Sequence, residues 1–146
     1  MTYATLMVHL ELGRSNAGLL QIAGDLAERF HARVIGIAAC RPIQLAYADG
    51  YVSGDLIEYD REEIGKEIKA AEAEFRSVLQ TRIPKLDWRS TTMFEVLADY
   101  LVREARSADL VITCTAASEV FTASRIVNTG DFLMRVGRPV LIVPTS

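Results

Sequence analysis

The fold is decided by residues 109–144, which begin with Asp109-Leu-Val-Ile-Thr113 and end with Arg138-Pro-Val-Leu-Ile-Val-Pro144. Each of these two apolar runs predicts a buried strand. Between them, residues 114–127 are mostly polar or small and predict a loop, and Asn128-Thr-Gly-Asp131 predicts the start of a short helix. A strand, a loop, a helix and a strand in this order are typical of a parallel sheet with helical crossovers.

The beginning of the chain shows the same alternation. Residues 5–10, Thr-Leu-Met-Val-His-Leu, predict a buried strand, and residues 33–39 predict a second one. Between them, apolar residues recur at helical spacing, which predicts an amphipathic helix over 16–31 that Ser15 or Asn16 caps. The three elements form a βαβ unit.

The middle of the chain continues the pattern. Residues 40–54 predict a loop, and apolar residues at helical spacing then predict a long helix over 55–82, which Pro84 ends. Residues 86–92 alternate in polarity and predict a half-exposed strand near a sheet edge, and residues 94–105 predict another helix.

Together, five predicted strands alternate with four predicted helices. This order predicts an α/β fold with a doubly wound five-stranded parallel sheet, strand order 3-2-1-4-5, in a three-layer α/β/α sandwich. In such sheets, ligands bind at the carboxyl ends of the strands, where the connections change from one face to the other. The site is therefore expected between the first and fourth strands, where the loops 11–15 and 114–127 face each other.

Length, composition and charge exclude several classes of protein. A chain of 146 residues, half of them hydrophobic, fits a single domain spanning 1–146. The net charge of −3 provides no basic footprint for nucleic acid, and no apolar run is long enough to span a bilayer. The N-terminus shows no signal peptide, and Cys40 and Cys114 are both predicted to be buried thiols, so a cytoplasmic protein is expected.

The order and spacing of these segments resemble the universal stress protein family. The resemblance rests on Leu6-Met-Val-His-Leu-Glu11, on Ala108-Asp109-Leu-Val-Ile and on Gly137-Arg-Pro-Val-Leu-Ile-Val-Pro144, and it spans nearly the whole chain. It implies a fold like that of the adenine nucleotide alpha hydrolases. It also implies a small protein of the stress response.

The resemblance implies a nucleotide site from which this sequence departs. Family members that bind ATP hold the ribose with an Asp, where this chain has Glu11, and meet adenine with main chain near Ala39. Their phosphate loop carries two early glycines, where this chain has Cys114 and Ala117, and a late Gly-Ser, which falls near Val127 and Asn128. A Cβ at these positions hinders close approach of the backbone to phosphate, and a β-branched Val127 is poorly suited to a positive φ.

Two interpretations of the remaining loop residues stay open. Thr115, Arg125, Asn128 and Thr129 are candidates for a non-standard phosphate site, which would take ATP or AMP with Mg²⁺. Alternatively, Asn128 or Thr129 caps the helix together with Asp131, and Arg125 is an ordinary surface residue. Under that interpretation the protein needs no cofactor.

No catalytic constellation is visible in the sequence. His9 lies inside the first predicted strand, as a core or edge residue, and His31 follows a helix C-terminus, where its charge is favoured. Two isolated histidines and two isolated cysteines have no metal-ligand spacing. Cys114 lacks a paired histidine, so a buried structural thiol is expected rather than a nucleophile.

The last predicted strand is an apolar edge. Exposed edges associate unless they are covered, and the resemblance implies that the same strand of a second subunit covers this one. A homodimer is therefore expected through residues Pro139, Val140, Leu141, Ile142 and Val143. A further protein partner is also conceivable for such a dimer.

Three functions follow from these interpretations. The first is a small, dimeric, non-catalytic universal stress protein, regulatory or protective, that does not bind ATP through the usual glycine loop. The second is a relative that binds adenine nucleotide through a non-standard loop and hydrolyses ATP slowly. The third is an unrelated small α/β enzyme or flavodoxin-like carrier, which the short, acidic loop at Glu11 disfavours because flavin phosphate needs Ser, Thr and Gly there.

Overall fold

The computed structural model describes residues 3–40, 54–92, 97–114 and 133–144. In chain order the elements are β1 Thr5–His9, α1 Ala17–Phe30, β2 Arg33–Cys40, α2 Gly54–Leu79, β3 Leu86–Thr92, α3 Leu97–Glu104, a 3₁₀ turn Ala105–Ser107, β4 Leu110–Cys114 and β5 Val140–Val143. Residues 133–135 are also helical, inside the predicted short helix. The long helix predicted over 55–82 is α2, which spans Gly54–Leu79 and therefore ends before Pro84 is reached.

The five strands form one parallel sheet in the order β3-β2-β1-β4-β5, as predicted. β1 is central. It pairs with β2 from Thr5, which lies opposite Arg33, to His9, which lies opposite Ile37. It pairs with β4 from Leu6, opposite Leu110, to Val8, opposite Ile112. The connections change faces between β1 and β4, so the expected crevice lies at the carboxyl ends of these two strands.

The sheet is buried on both faces, which explains why its central strands are apolar throughout. Alternate residues such as Leu6, Val8 and Ile112 pack against α1 and α2, together with Phe75 and Leu79. The intervening residues form a smaller core with α3: Met7, Ile35, Ile37, Tyr100, Leu101, Ala105 and Val111. The three-layer arrangement therefore follows from the period of two along each strand.

A carboxylate fixes the start of the central strand. Both Ala4 and Thr5 donate their backbone N–H groups to Oδ2 of Asp109, each at 2.9 Å, and Asp109 in turn donates its N–H to the Thr5 carbonyl at 2.9 Å. Asp109 directly precedes β4, so this contact aligns β1 with β4 at the amino edge of the sheet.

β3 and β5 are the two edges of the sheet. β5 pairs with β4 from Val111–Val140 to Cys114–Val143, and its other side has no strand partner in the part of the chain that the structure describes. Leu141 is 37% exposed, and Met134 is 88% exposed. Among residues 3–40, 54–92, 97–114 and 133–144, no helix has both the length and the apolar character to cross a membrane.

Candidate functional site

The loop between β1 and α1 forms one wall of the crevice, and Asn16 organises it. The Asn16 side chain accepts the Glu11 N–H at 2.9 Å and donates to the Glu11 carbonyl at 3.0 Å. Glu74 of α2 accepts the Asn16 N–H at 2.9 Å and the Ser15 hydroxyl at 3.0 Å. The main chain of this loop is thus held by its own side chains and by a distant helix.

The expected capping role of Ser15 or Asn16 is only partly seen. Asn16 is the N-cap residue of α1 but makes no side-chain cap hydrogen bond, because its amide is used inside the loop. The Ser15 hydroxyl instead accepts the Ala17 N–H at 3.3 Å. Gly13 lies at φ 81°, the conformation that a tight turn after β1 requires and that glycine adopts freely.

Glu11, the candidate ribose ligand, is engaged within the protein. Its side chain is only 6% exposed, and Oε2 accepts a hydrogen bond from Nη1 of Arg14 at 2.9 Å in an ion pair. The carboxylate also lies near enough to the Cys114 thiol to raise the pKa of that thiol. A ligand hydroxyl would have to displace these partners, since a buried carboxylate accepts a limited number of hydrogen bonds.

Cys114 ends β4 beside this carboxylate. It is buried, and burial raises the pKa of its thiol to about 12, with the hydrogen bond to Glu11 and the Glu11 charge adding to the effect. Arg14 opposes this shift weakly. The thiolate is the nucleophilic form, so the Cys114 pKa supports the prediction of a structural thiol.

His9 and Thr113 form the second polar pair of the crevice. Nδ1 of His9 lies 3.0 Å from the Thr113 hydroxyl oxygen, and both residues are buried. Burial lowers the pKa of His9 to about 4, although the negative charge of Glu11 acts in the opposite direction. The imidazole is therefore neutral at physiological pH and joins β1 to β4, in agreement with the predicted core position.

The main chain at Ala39 lies at the edge of the sheet where the crevice is expected. The odd-numbered residues of β2 face β1, since Arg33 donates its N–H to Ala4 and Ile37 accepts the Leu10 N–H. Ala39 is two residues further on, past His9–Ile37, the last pair between these strands. Ala39 therefore lies at the carboxyl edge of the sheet, beside the end of β1.

Two cavities flank the β1–α1 loop. The first, of about 120 Å³, lies between the N-terminus of α1 and the ends of β4 and β5, and its lining includes Arg14, Ser15, Cys114 and Val143. The second, of about 380 Å³, lies between the loop and α2, where Glu11, Glu67 and Glu74 outnumber Arg14. Three carboxylates make the second cavity unfavourable for phosphate groups.

The structure places only part of the predicted site. Glu11 and Cys114 are in contact, and the Ala39 main chain lies at the same edge of the sheet. Thr115, Ala117, Arg125, Val127, Asn128 and Thr129 lie outside the described residues. Within those residues, no group of three His, Cys, Asp or Glu side chains is arranged to hold a metal ion.

Sequence reasoning missed the pairing of Arg14 with Glu11 and the role of Glu74. Arg14 lies three residues after Glu11, and the turn at Gly13 brings the two side chains together. Glu74 is separated from Asn16 by 58 positions, and the sequence assigned it no role. No local signal in the sequence indicates that contact.

Solved structures of universal stress proteins share this architecture, whereas no family model and no curated protein matches the sequence. A family member from Burkholderia pseudomallei is 22% identical, with 98% of this chain and 97% of that chain covered and a TM-score of 0.64. A universal stress protein in complex with cAMP is 21% identical over the full length of both chains, with a TM-score of 0.68. UspA from Lactobacillus plantarum is 15% identical over 98% of this chain and 99% of that chain, with a TM-score of 0.69.

These similarities extend from end to end of both chains in each comparison. They agree with the strand order, with the crevice between β1 and β4 and with the resemblance found in the sequence. The chain therefore has the universal stress protein fold.

Proposed function

We propose that this chain is a small, non-catalytic universal stress protein that acts as a cytoplasmic homodimer in a regulatory or protective role. In this proposal it does not bind ATP through the usual glycine loop. The observation that carries it is the state of Glu11, whose buried carboxylate is already paired with Arg14 at 2.9 Å. The side chain that the resemblance assigns to ribose is thus committed to the protein itself.

The neighbourhood of Glu11 supports the same proposal. Cys114 stands where the resemblance expects the first glycine of the phosphate loop, and the cavity that it lines has a volume of only about 120 Å³. The larger of the two cavities beside the loop is acidic. Nucleotide phosphates would meet repulsion there in place of the electropositive surroundings that they ordinarily require.

The dimer is proposed from the edge strand. Val140–Val143 is wholly apolar, lies at the end of the sheet and has the exposed Leu141 at its centre. An apolar edge of this kind pairs readily with another strand, and a second copy of the chain offers an identical one. Pairing about a two-fold axis would extend the sheet to ten strands.

Isothermal titration tests the absence of ATP binding. Protein stripped of nucleotide is titrated with ATP and Mg²⁺, and the untreated preparation is analysed by mass spectrometry for adenine nucleotides. We expect no binding at millimolar ATP and an empty preparation. Micromolar affinity, or a nucleotide that copurifies, would contradict the proposal.

A second candidate function, binding of an adenine nucleotide with possible slow ATP hydrolysis, is favoured by the Ala39 main chain. Ala39 lies at the carboxyl edge of the sheet beside β1, and main-chain groups do not depend on side-chain identity. A structure of the same fold is a complex with cAMP. In this candidate, Glu11 would exchange Arg14 for ribose hydroxyls, while Thr115, Arg125 and Asn128 would contact phosphate.

Paired variants separate the two functions if any nucleotide binds. Glu11→Ala should abolish affinity for AMP, cAMP or ATP under the second candidate. Glu72→Ala removes an equal charge from an exposed position of α2, where Glu72 pairs with Arg76, and should leave affinity unchanged. Equal affinity in the two variants would exclude Glu11 as the ribose ligand.

A further inference from the structure

We propose that Glu74 of α2 is a latch, a positioning residue that holds the β1–α1 loop where it closes Glu11 and Cys114 to molecules outside the protein. The loop comprises residues 10–16. This role rests on the proposed function in one respect, since the latch is what keeps the Glu11 carboxylate committed to the protein. No nucleotide takes part in it, so it can be tested separately from ATP binding.

The Glu74 carboxylate accepts hydrogen bonds from three donors of the loop. They are the Asn16 N–H at 2.9 Å, the Ser15 hydroxyl at 3.0 Å and the Asn16 side-chain amide at 3.3 Å. A carboxylate accepts stronger hydrogen bonds than a neutral oxygen does. Its two oxygens therefore anchor two successive residues of the loop to α2.

Asn16 passes this anchor on to Glu11. Its side chain accepts the Glu11 N–H at 2.9 Å and donates to the carbonyls of Glu11 at 3.0 Å and Arg14 at 3.2 Å. An N-cap asparagine ordinarily caps its own helix, but Asn16 makes no side-chain cap hydrogen bond. The fold therefore ties the loop to α2 at the expense of a cap on α1.

Packing alone does not hold the loop against α2. A cavity of about 380 Å³ lies between them, and its lining includes Gly13, Ala70, Ala71 and Glu74. Two small side chains of α2 thus face the turn across open space, and dispersion attraction is lost across such a gap. The hydrogen bonds to Glu74 bridge this space, so a few polar contacts hold a loop that has room to move.

The same loop closes the crevice from the side of α1. Arg14, Ser15 and Asn16 line the small cavity that Cys114 also lines. Cys114 is 7% exposed and the Glu11 side chain 6%, whereas Arg14, the outer member of the ion pair with Glu11, is 39% exposed. Displacement of residues 14–16 would therefore open a path to both buried side chains.

The Cys114 thiol reports whether the loop is closed. Burial and the neighbouring Glu11 carboxylate raise its pKa to about 12, so almost none of it is the reactive thiolate near neutral pH. Opening of the loop returns the pKa toward its ordinary value, so the rate of labelling by iodoacetamide measures how often the loop opens. Peptide mass spectrometry distinguishes label on Cys114 from label on Cys40.

Glu74→Ala should raise the labelling rate of Cys114 by at least about tenfold, since it removes three hydrogen bonds to a carboxylate. Glu72→Ala removes the same charge two positions earlier on α2, where Glu72 pairs with Arg76 near the surface, and should change the rate less than about twofold. An unchanged rate in Glu74→Ala, or an equal rise in Glu72→Ala, would overturn the proposal.

A second control separates opening of the loop from general destabilisation. Arg82→Gln removes the hydrogen bonds to Asp25 and Glu28 that join α1 to the chain after α2, far along α1 from the loop. Urea unfolding measures the loss of global stability in each variant. We expect Arg82→Gln to lose stability while the Cys114 labelling rate stays within about twofold. Rates that follow global stability in both Arg82→Gln and Glu74→Ala would refute the latch.

Amide hydrogen exchange tests the relay through Asn16 and needs no reagent in the crevice. In Glu74→Ala, the Glu11 amide, whose hydrogen-bond partner is Asn16, should exchange at least about tenfold faster. The Leu10 amide, which donates to the Ile37 carbonyl at 2.9 Å, should keep its rate. Glu74→Gln serves if the alanine variant does not fold, and should give a smaller rise for Glu11. Equal acceleration at Leu10 and Glu11, or at neither, would overturn the proposal.

Discussion

At the scale of single residues, the crevice is a set of buried polar groups that satisfy one another. His9 forms a hydrogen bond with Thr113, Glu11 with Arg14, and Asn16 with the Glu11 main chain. Buried polar groups are tolerated only when they have such partners. Because these groups already have partners within the protein, we infer that they stabilise the structure rather than bind a ligand.

The first prediction concerns pH. His9 has its pKa lowered to about 4 in the fold, so between pH 6.5 and 4 the unfolded chain binds a proton that the folded chain does not. Because of His9, the free energy of unfolding should therefore fall by about 3 kcal/mol as the pH falls through this window. Above pH 6.5, the protonation of His9 should have no effect on stability. Urea titrations at pH 7.5 and 4.5 measure the loss.

His9→Gln provides the control for that prediction, because glutamine cannot titrate. Carboxylates contribute equally to both proteins, so the difference in pH dependence isolates the histidine. Parallel stability profiles for the two proteins would show that His9 is not buried as described.

The second prediction concerns Gly36 in β2. A Cβ there would lie 2.7 Å from Cε3 of Trp88 and 2.9 Å from Cδ2 of Phe75, two rings that pack together with centroids 5.4 Å apart. Gly36→Ala should cost about 1–3 kcal/mol by overpacking. Gly18→Ala in α1, where a Cβ meets nothing within 4 Å, should instead stabilise the protein by about 0.5–1 kcal/mol. Urea unfolding of both variants measures whether each substitution lowers or raises the free energy of unfolding. Equal changes for the two variants would contradict the packing described.

At the scale of elements, the pattern of apolar residues was sufficient to locate the strands, and their alternation with helices was sufficient for the doubly wound class. Each strand is buried on at least one face, so its polarity pattern reports its environment directly. Loops carry no such periodic signal. The β1–α1 loop depends on Glu74, whose contact with Asn16 arises only once α2 has packed, so neither the lost cap nor the buried Glu11 was predictable.

The third prediction concerns the edge strand β5. Leu141→Lys places a charge at the exposed centre of the proposed interface and should convert the dimer to monomer, as Ile142→Lys should also do. Ile22→Lys, at a similar exposure of 36% on α1, should leave the dimer intact. Light scattering measures the mass of each protein. A dimer that persists in both β5 variants would exclude this strand from the interface.

At the scale of the whole molecule, the two ends of the sheet differ in charge. The carboxyl end presents the acidic cavity beside the β1–α1 loop, whereas Arg33 and Lys85 are exposed at the amino end. The helices have the opposite polarity, because α1, α2 and α3 return antiparallel to the strands and bring their C-termini, with their partial negative charge, to the amino end.

Dimerisation and folding should also be linked across the whole molecule. A dimer that unfolds to two separate chains melts at a higher temperature when it is more concentrated, because association adds to the stability of the folded state. For two chains of 146 residues, a 100-fold rise in concentration should raise the melting temperature by about 5 °C, given an unfolding entropy of about 2 cal/mol/K per residue. Leu141→Lys should melt at one temperature throughout the same range. Calorimetry over that range is decisive, since a melting temperature independent of concentration in the unmodified protein would mean that the folded unit is the monomer and that β5 is covered in another way.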